Sequence, residues 1–259
     1  MEAAGALGRG GLSTYLEAAR EAVRSRSRTF WIVAGLTVAA AVLRFATLGL
    51  QSYHHDEIVT ASRILRGSFW HAMDAVGFSE SAPPLYYAAA WLWTQATGTG
   101  EVGLRSFSAL AGVATVPVAF LIGRELRSSS DGTIDPPMEG SIVQRAQRVG
   151  IVAAALVAVN PMLVWYSQEA RAYALLVLLT SLSLLYFDRG LEHGRRRDLT
   201  AWGLVSGLAL ATHYFAIFPI AAEAAWLLYR RRRGAFRGAA ILAAFGLLLT
   251  PLAIHQMSY

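Results

Sequence analysis

A chain of 259 residues that is 55% hydrophobic and only 15% charged carries apolar runs of the ~20 residues that cross a hydrocarbon core, so an ordinary soluble domain is excluded and an integral membrane protein indicated. Its formal charge of +6 comes from 23 basic residues, all arginine, grouped at the ends of apolar segments, which points to membrane topology rather than to nucleic acid. The absence of cysteine excludes a disulfide framework, a thiolate nucleophile and a zinc–cysteine site.

The first thirty residues lack the small-residue cleavage site of a signal peptide. Residues 12 to 28, with Arg20, Arg24, Arg26 and Arg28, read as a cytoplasmic surface helix facing anionic headgroups, or as a tail. Residues 1–29 thus form a cytoplasmic N-terminal segment, and 30–259 a single transmembrane module. The first span runs from Phe30 to about Leu50. A polar stretch, 51–82, follows within a first outer loop of 51–103. It opens with Tyr53-His54-His55-Asp56-Glu57 and a helix to Arg66 that Gly67 ends. The apolar piece Leu85 to Thr97 is opened by Pro83-Pro84 and closed by Gly98. As a helix it rises only about 20 Å against a core of roughly 30 Å, so it lies in the interface instead of crossing.

The remaining spans are 104–123 inward, 149–166 outward, 171–187 inward, 199–212 outward, 214–229 inward and 238–257 outward, which makes seven crossings in an all-α polytopic membrane protein. Residues 128–141, rich in Ser, Asp, Gly and Pro, form a cytoplasmic loop. With 85–97 left in the outer interface, 18 of the 23 arginines fall inside. Arg63, Arg66, Arg105 and Arg171 then lie outside, and Arg44 sits within the first span. The positive-inside rule favours this threading. A tight outer turn at His213-Tyr214 is needed to keep Arg195–Arg197 and Arg230–Arg233 on one side.

Under this threading two acidic sites share the outer face. Asp56 reads either as an N-cap, with Glu57 favouring the positive end of a helix dipole, or as a carboxylate poised as general base. Four consecutive side chains, His54 to Glu57, cannot converge on one divalent cation, although one or two could contribute to such a site. Glu169 and Arg171, in Ser167-Gln168-Glu169-Ala170-Arg171, form a charged pair beside the hydrocarbon, either functional or a solvated turn anchored by Trp165, Tyr166 and Tyr173. Arg44 can snorkel outward or, like Arg63, Arg105 and Arg171, match a phosphate. His213 lines the same cavity or packs as a hydrogen-bonded core group. Tyr86 and Tyr87, with Trp91 and Trp93, form an anchor or a platform for a lipid chain or sugar. The ionisable residues gather at one face, whereas a transporter would carry polar or broken helices at mid-membrane.

The order of Asp56-Glu57, Ser81-Ala82-Pro83-Pro84-Leu85-Tyr86-Tyr87, Leu104-Arg105-Ser106-Phe107-Ser108-Ala109-Leu110, and Asn160-Pro161 running into Tyr166-Ser167-Gln168-Glu169-Ala170-Arg171-Ala172-Tyr173 resembles the integral-membrane glycosyltransferases of the GT-C superfamily. The likeness is to the family 39-like group of protein O-mannosyltransferases and bacterial lipid-A aminoarabinose transferases, and it covers roughly 30–230. It implies a polyprenyl-phosphate sugar donor, hexosyl or pentosyl transfer with inversion, and an extracytoplasmic active site in a bacterial-type plasma membrane. By the same resemblance Asp56 is the catalytic base or acceptor-orienting group, Glu57 stands beside it, and Glu169 is a second acidic residue. Arg44, His55, Tyr86, Tyr87, Arg105, Gln168, Arg171, Tyr173 and His213 become substrate-binding candidates. The family's surface helices map onto 57–66 and 85–97. Its chains continue past the seventh span, so a C-terminal region or a partner subunit is expected to complete the donor pocket. A flippase for a lipid-linked precursor and a non-catalytic assembly subunit are the competing classes.

Overall fold

The computed structural model describes residues 27–79, 81–130 and 139–258; the expected surface helix at 12–28 and most of the 128–141 loop lie outside them. Among the described residues the chain is helical without strands: α1 (Ser27–Phe45), α2 (His55–Val59), α3 (Phe69–Ser79), α4 (Leu85–Thr97), α5 (Glu101–Ser130), α6 (Glu139–Val159), α7 (Pro161–Ser167), α8 (Tyr173–His193), α9 (Arg196–Thr212) and α10 (Ile217–Met257). Stretches of α1, α5, α6, α8 and the second half of α10 are long and apolar enough to span a bilayer.

The two remaining expected spans are α9, of 17 residues, and the first arm of α10. A straight 41-residue α10 would be about 60 Å long. Yet Tyr214, just before it, donates its hydroxyl to Gln256 Oε1 near its end, at 2.8 Å. The helix therefore folds back, and the break is Arg231, at φ −130° and ψ 35°. Arg231 turns its guanidinium onto Leu191 and Glu192 carbonyls at 2.6 to 2.9 Å, a cation on the negative end of α8. At the opposite end, α9 reverses through His213 and a short 3-10 turn, Tyr214–Ala216. Leu199 and Trp202 then pack on Leu227 and Ala235, and Ala209 and Leu210 on Ile220. The tight turn expected at His213-Tyr214 is thus present.

Three elements depart from expectation. Asn160 breaks the span drawn at 149–166: its Oδ1 accepts the Leu163 N–H and Pro161 occupies the first turn of α7, where its missing N–H costs nothing. A helix absent from the sequence reading, α3, fills part of the 51–82 stretch. In α2 the N-cap is His54, not Asp56, and Glu57 reaches back to the His54 N–H at 3.0 Å. The short interfacial helix has the expected bounds, closed by Gly98 at φ +75°, a conformation that only glycine adopts freely.

A carboxyl is buried among the helices, away from Asp56 and Glu169. Glu223, buried on the first arm of α10, accepts from Trp202 Nε1 at 2.8 Å and Ser183 Oγ at 2.5 Å, and Ser183 meets Ser206 at 2.8 Å. The expectation that ionisable groups gather at one face is corrected here. This carboxyl ties α8, α9 and α10 together through neutral donors.

Candidate active site

The loop between α1 and α5 is held by a buried ion pair. Glu57 is 1% exposed, and its carboxylate takes two bonds from Arg105, at 2.9 and 2.6 Å. Arg105 spends its other N–H groups on the Leu48, Gln51 and Ser52 carbonyls at 2.7 to 3.1 Å, so all five guanidinium donors are used. Glu57 Oε1 also accepts the Ala170 N–H at 2.7 Å. That bond stitches the α2 segment to the turn after α7. Burial pushes the Glu57 carboxyl up, but the bonds from Arg105, Ala170 and His54, with the Arg105 charge, outweigh it and hold the group below the usual carboxylate value.

The stitch brings the two acidic sites together, since Asp56 and Glu169 are the residues immediately preceding Glu57 and Ala170. The Asp56 carboxylate is two-thirds exposed, and Arg171 lies 3.9 Å from its Oδ2. Glu169 accepts from Trp165 Nε1 at 2.7 Å, and the Trp165 ring stands 6.4 Å from that of His54. Tyr173 packs between Tyr166 and His213, at 5.0 and 6.0 Å. His213 Nδ1 accepts the Phe215 N–H at 3.2 Å, which leaves the proton of the neutral ring on Nε2. Burial, and then the Arg171 charge, depresses the His213 pKa. His55 is exposed at the start of α2.

Several expected substrate contacts have other partners. Arg105, expected at a phosphate, has no donor left for one. Arg44 is fully buried and does not snorkel. Its Nη atoms bond the carbonyls of Ala158 at 2.9 Å and Val157 at 3.1 Å, capping α6, and that of Ala40 at 3.3 Å. Gln168 ties its amide to the Leu43 and Arg44 carbonyls and to Thr47 Oγ1. Tyr86 and Tyr87 lie in the core, at 0% and 1% exposure, with the Tyr86 hydroxyl 3.2 Å from Ser108. The indoles of Trp91 and Trp93 bond Gly67 O and Ser106 Oγ. No trio of His, Asp and Glu among the described residues is arranged to hold a metal ion.

A missed feature is Trp165 as the partner of Glu169. The i, i+4 spacing across the end of α7 is the signal that could have revealed it.

The second acidic segment and everything packed after it provide the decisive comparison. Residues 141–255 match the family model of the dolichyl-phosphate-mannose-protein mannosyltransferases. This agrees with the GT-C-like resemblance carried by the motifs, over a little less than half of the chain. The matched stretch includes Gln168, Glu169, Arg171, Tyr173 and His213, and it stops short of Asp56, Glu57 and Arg105. No curated protein and no solved structure matches the chain.

Proposed function

We propose that this protein transfers a sugar from a polyprenyl-phosphate donor to an acceptor hydroxyl in the outer recess, with inversion and with Asp56 as general base. The observation that carries this reading is the contrast between neighbours: the Glu57 carboxylate is consumed by Arg105 and Ala170, while Asp56 keeps an exposed carboxylate 3.9 Å from Arg171. Glu57 and Arg105 position; Asp56 reacts.

In the proposed step the acceptor oxygen attacks the anomeric carbon from the face opposite the phosphate. The carbon–oxygen bond to phosphate breaks, its electron pair leaves with the phosphate, and the acceptor proton passes to Asp56. Arg171 supplies positive charge for the departing phosphate, and Glu169, steadied by Trp165, orients the acceptor. The His213 ring, kept neutral by burial and by Arg171, offers its Nε2–H to a sugar or phosphate oxygen. The lipid tail remains in the bilayer, and the headgroup reaches the recess at the interface.

The test is transfer of radiolabelled sugar from a polyprenyl-phosphate donor in proteoliposomes. Asp56→Asn is expected to lower the rate about 10²- to 10⁴-fold, the range for loss of a general base, with the fold intact by tryptophan fluorescence. Transfer at the wild-type rate would remove Asp56 from the chemistry.

A further inference from the structure

A second concave site lies at the opposite end of the bundle. Near the ends of α5 and α8 that carry the arginine clusters, α1 stands away from both, leaving an open cleft of about 1440 Å³ between α1, α5, α6, α8 and the start of α9. Its top is sealed where small residues let the helices converge, with Ala40, Val116, Ala154 and Ala158 in one buried cluster. Thr29 crosses its edge to Gln147 at 3.2 Å. None of Asp56, Glu169, Arg171 and His213 lines it, and the proposed transfer leaves it unused.

The cleft is divided by polarity along its depth. Its upper walls are apolar, with Val33, Ala34, Val38 and Phe120 among the lining. Phe30, Val38 and Val143 are more than half exposed, so the opening faces the bilayer laterally. From Thr29 to Val38, α1 rises about 14 Å, close to the ~15 Å of hydrocarbon in one leaflet. This depth and lining suit an acyl chain.

The mouth is charged but balanced. It presents Arg124, Arg189, Arg195 and Arg197 against Glu125, Asp188, Glu192 and Asp198. Arg189 is tied to Glu125 by two bonds at 2.9 and 2.6 Å, with Arg124 3.4 Å from the same carboxylate. Arg195 and Arg197 are exposed at the first turn of α9, and Asp188 and Glu192 lie one turn apart on α8. Among the described lining residues the mouth carries equal numbers of both signs. It suits a headgroup carrying a phosphate for the arginines and an ammonium for the carboxylates. A choline head cannot donate the hydrogen bonds that Asp188 and Glu192 would accept.

We propose that this cleft binds one zwitterionic glycerophospholipid with a primary ammonium headgroup, of the phosphatidylethanolamine class. Its phosphate lies toward Arg195 and Arg197, its ammonium toward Asp188 and Glu192, and one chain runs up the α1 wall. The lipid completes the packing of α1 against the bundle.

The full chain, stripped of lipid in detergent, would be titrated with phosphatidylethanolamine, phosphatidylglycerol or phosphatidylcholine and the bound lipid counted by native mass spectrometry. One phosphatidylethanolamine per chain is expected, held about tenfold more tightly than the other two, a difference worth ~1.4 kcal/mol. The charge-removing pair Asp188→Asn and Arg197→Gln should remove that preference while tryptophan fluorescence reports an unchanged fold. Equal retention of all three lipids, a preference for phosphatidylglycerol, or a preference that survives in the double variant would overturn the proposal. None of these readouts depends on sugar transfer, so the result stands apart from the fate of the outer-site reading.

Discussion

Three arginines of the sequence, Arg44, Arg105 and Arg171, carry the same group and have three different environments. Arg105 exhausts its donors on Glu57 and three loop carbonyls. Arg44 caps α6, with its Nε buried and without a hydrogen-bond partner among the described residues. Arg171 stands beside an exposed carboxylate. Nothing in the residue type or its neighbours in sequence distinguishes them, because the acceptors are main-chain oxygens delivered by tertiary packing. What was readable was that Asp56 and Glu169 belong to one face; which carboxylate of the Asp56-Glu57 pair stays accessible was not, since Ala170 N–H and Arg105 reach Glu57 only in the folded chain. The Glu57–Arg105 pair should dominate the stability of the loop. Glu57→Gln leaves the guanidinium buried without its paired carboxylate charge and is expected to cost about 3–5 kcal/mol, measured by unfolding in detergent. The native carboxyl titrates below its unfolded value of about 4.3. Its stabilisation is therefore complete above that pH and fades as pH falls through the folded-state value, an acid sensitivity that Glu57→Gln should lack.

At the scale of elements, the α9–α10 hairpin depends on glycine as much as on hydrophobic contact. A Cβ at Gly203 would meet the Gly238 carbonyl oxygen at 2.5 Å, and one at Gly238 would meet the Leu199 oxygen at 2.5 Å. Those are backbone contacts that cannot swing aside. Gly203→Ala is expected to force the helices apart and destabilise the fold by roughly 1–3 kcal/mol, whereas Gly246→Ala, which faces open space, should be neutral or slightly favourable; thermal unfolding of the two variants checks this. The elements that hydropathy exposes are the long apolar ones and α4, whose length and closing Gly98 fix its class. α3 escaped because Phe69–Ser79 mixes His71, Asp74 and Gly77 with aromatics and has no strong period. The Glu223 network escaped because a lone glutamate in an apolar run carries no mark of the indole and hydroxyls that will surround it.

The molecule has two ends of different character, one with the exposed Asp56 carboxylate beside Arg171 and one with a cleft whose mouth carries charges of both signs. Which end faces the cytoplasm is an expectation from arginine placement, and it can be tested in a chain with no native cysteine. Single substitutions Ser62→Cys and Ser129→Cys, probed with a membrane-impermeant thiol reagent on intact cells, should label at position 62 and remain protected at 129. The reverse pattern would invert the assignment of sides and move the proposed chemistry to the cytoplasm.

The bonds made by Gln256 carry a consequence for biosynthesis. Its amide holds the Val76 and Ala82 carbonyls, 180 and 174 positions earlier in the chain, while its oxygen receives the Tyr214 hydroxyl. The loop between α1 and α5 thus acquires these restraints only once α10 has been synthesised. Until then the α3–α4 segment waits without one of its fasteners, so this side of the fold closes late in synthesis.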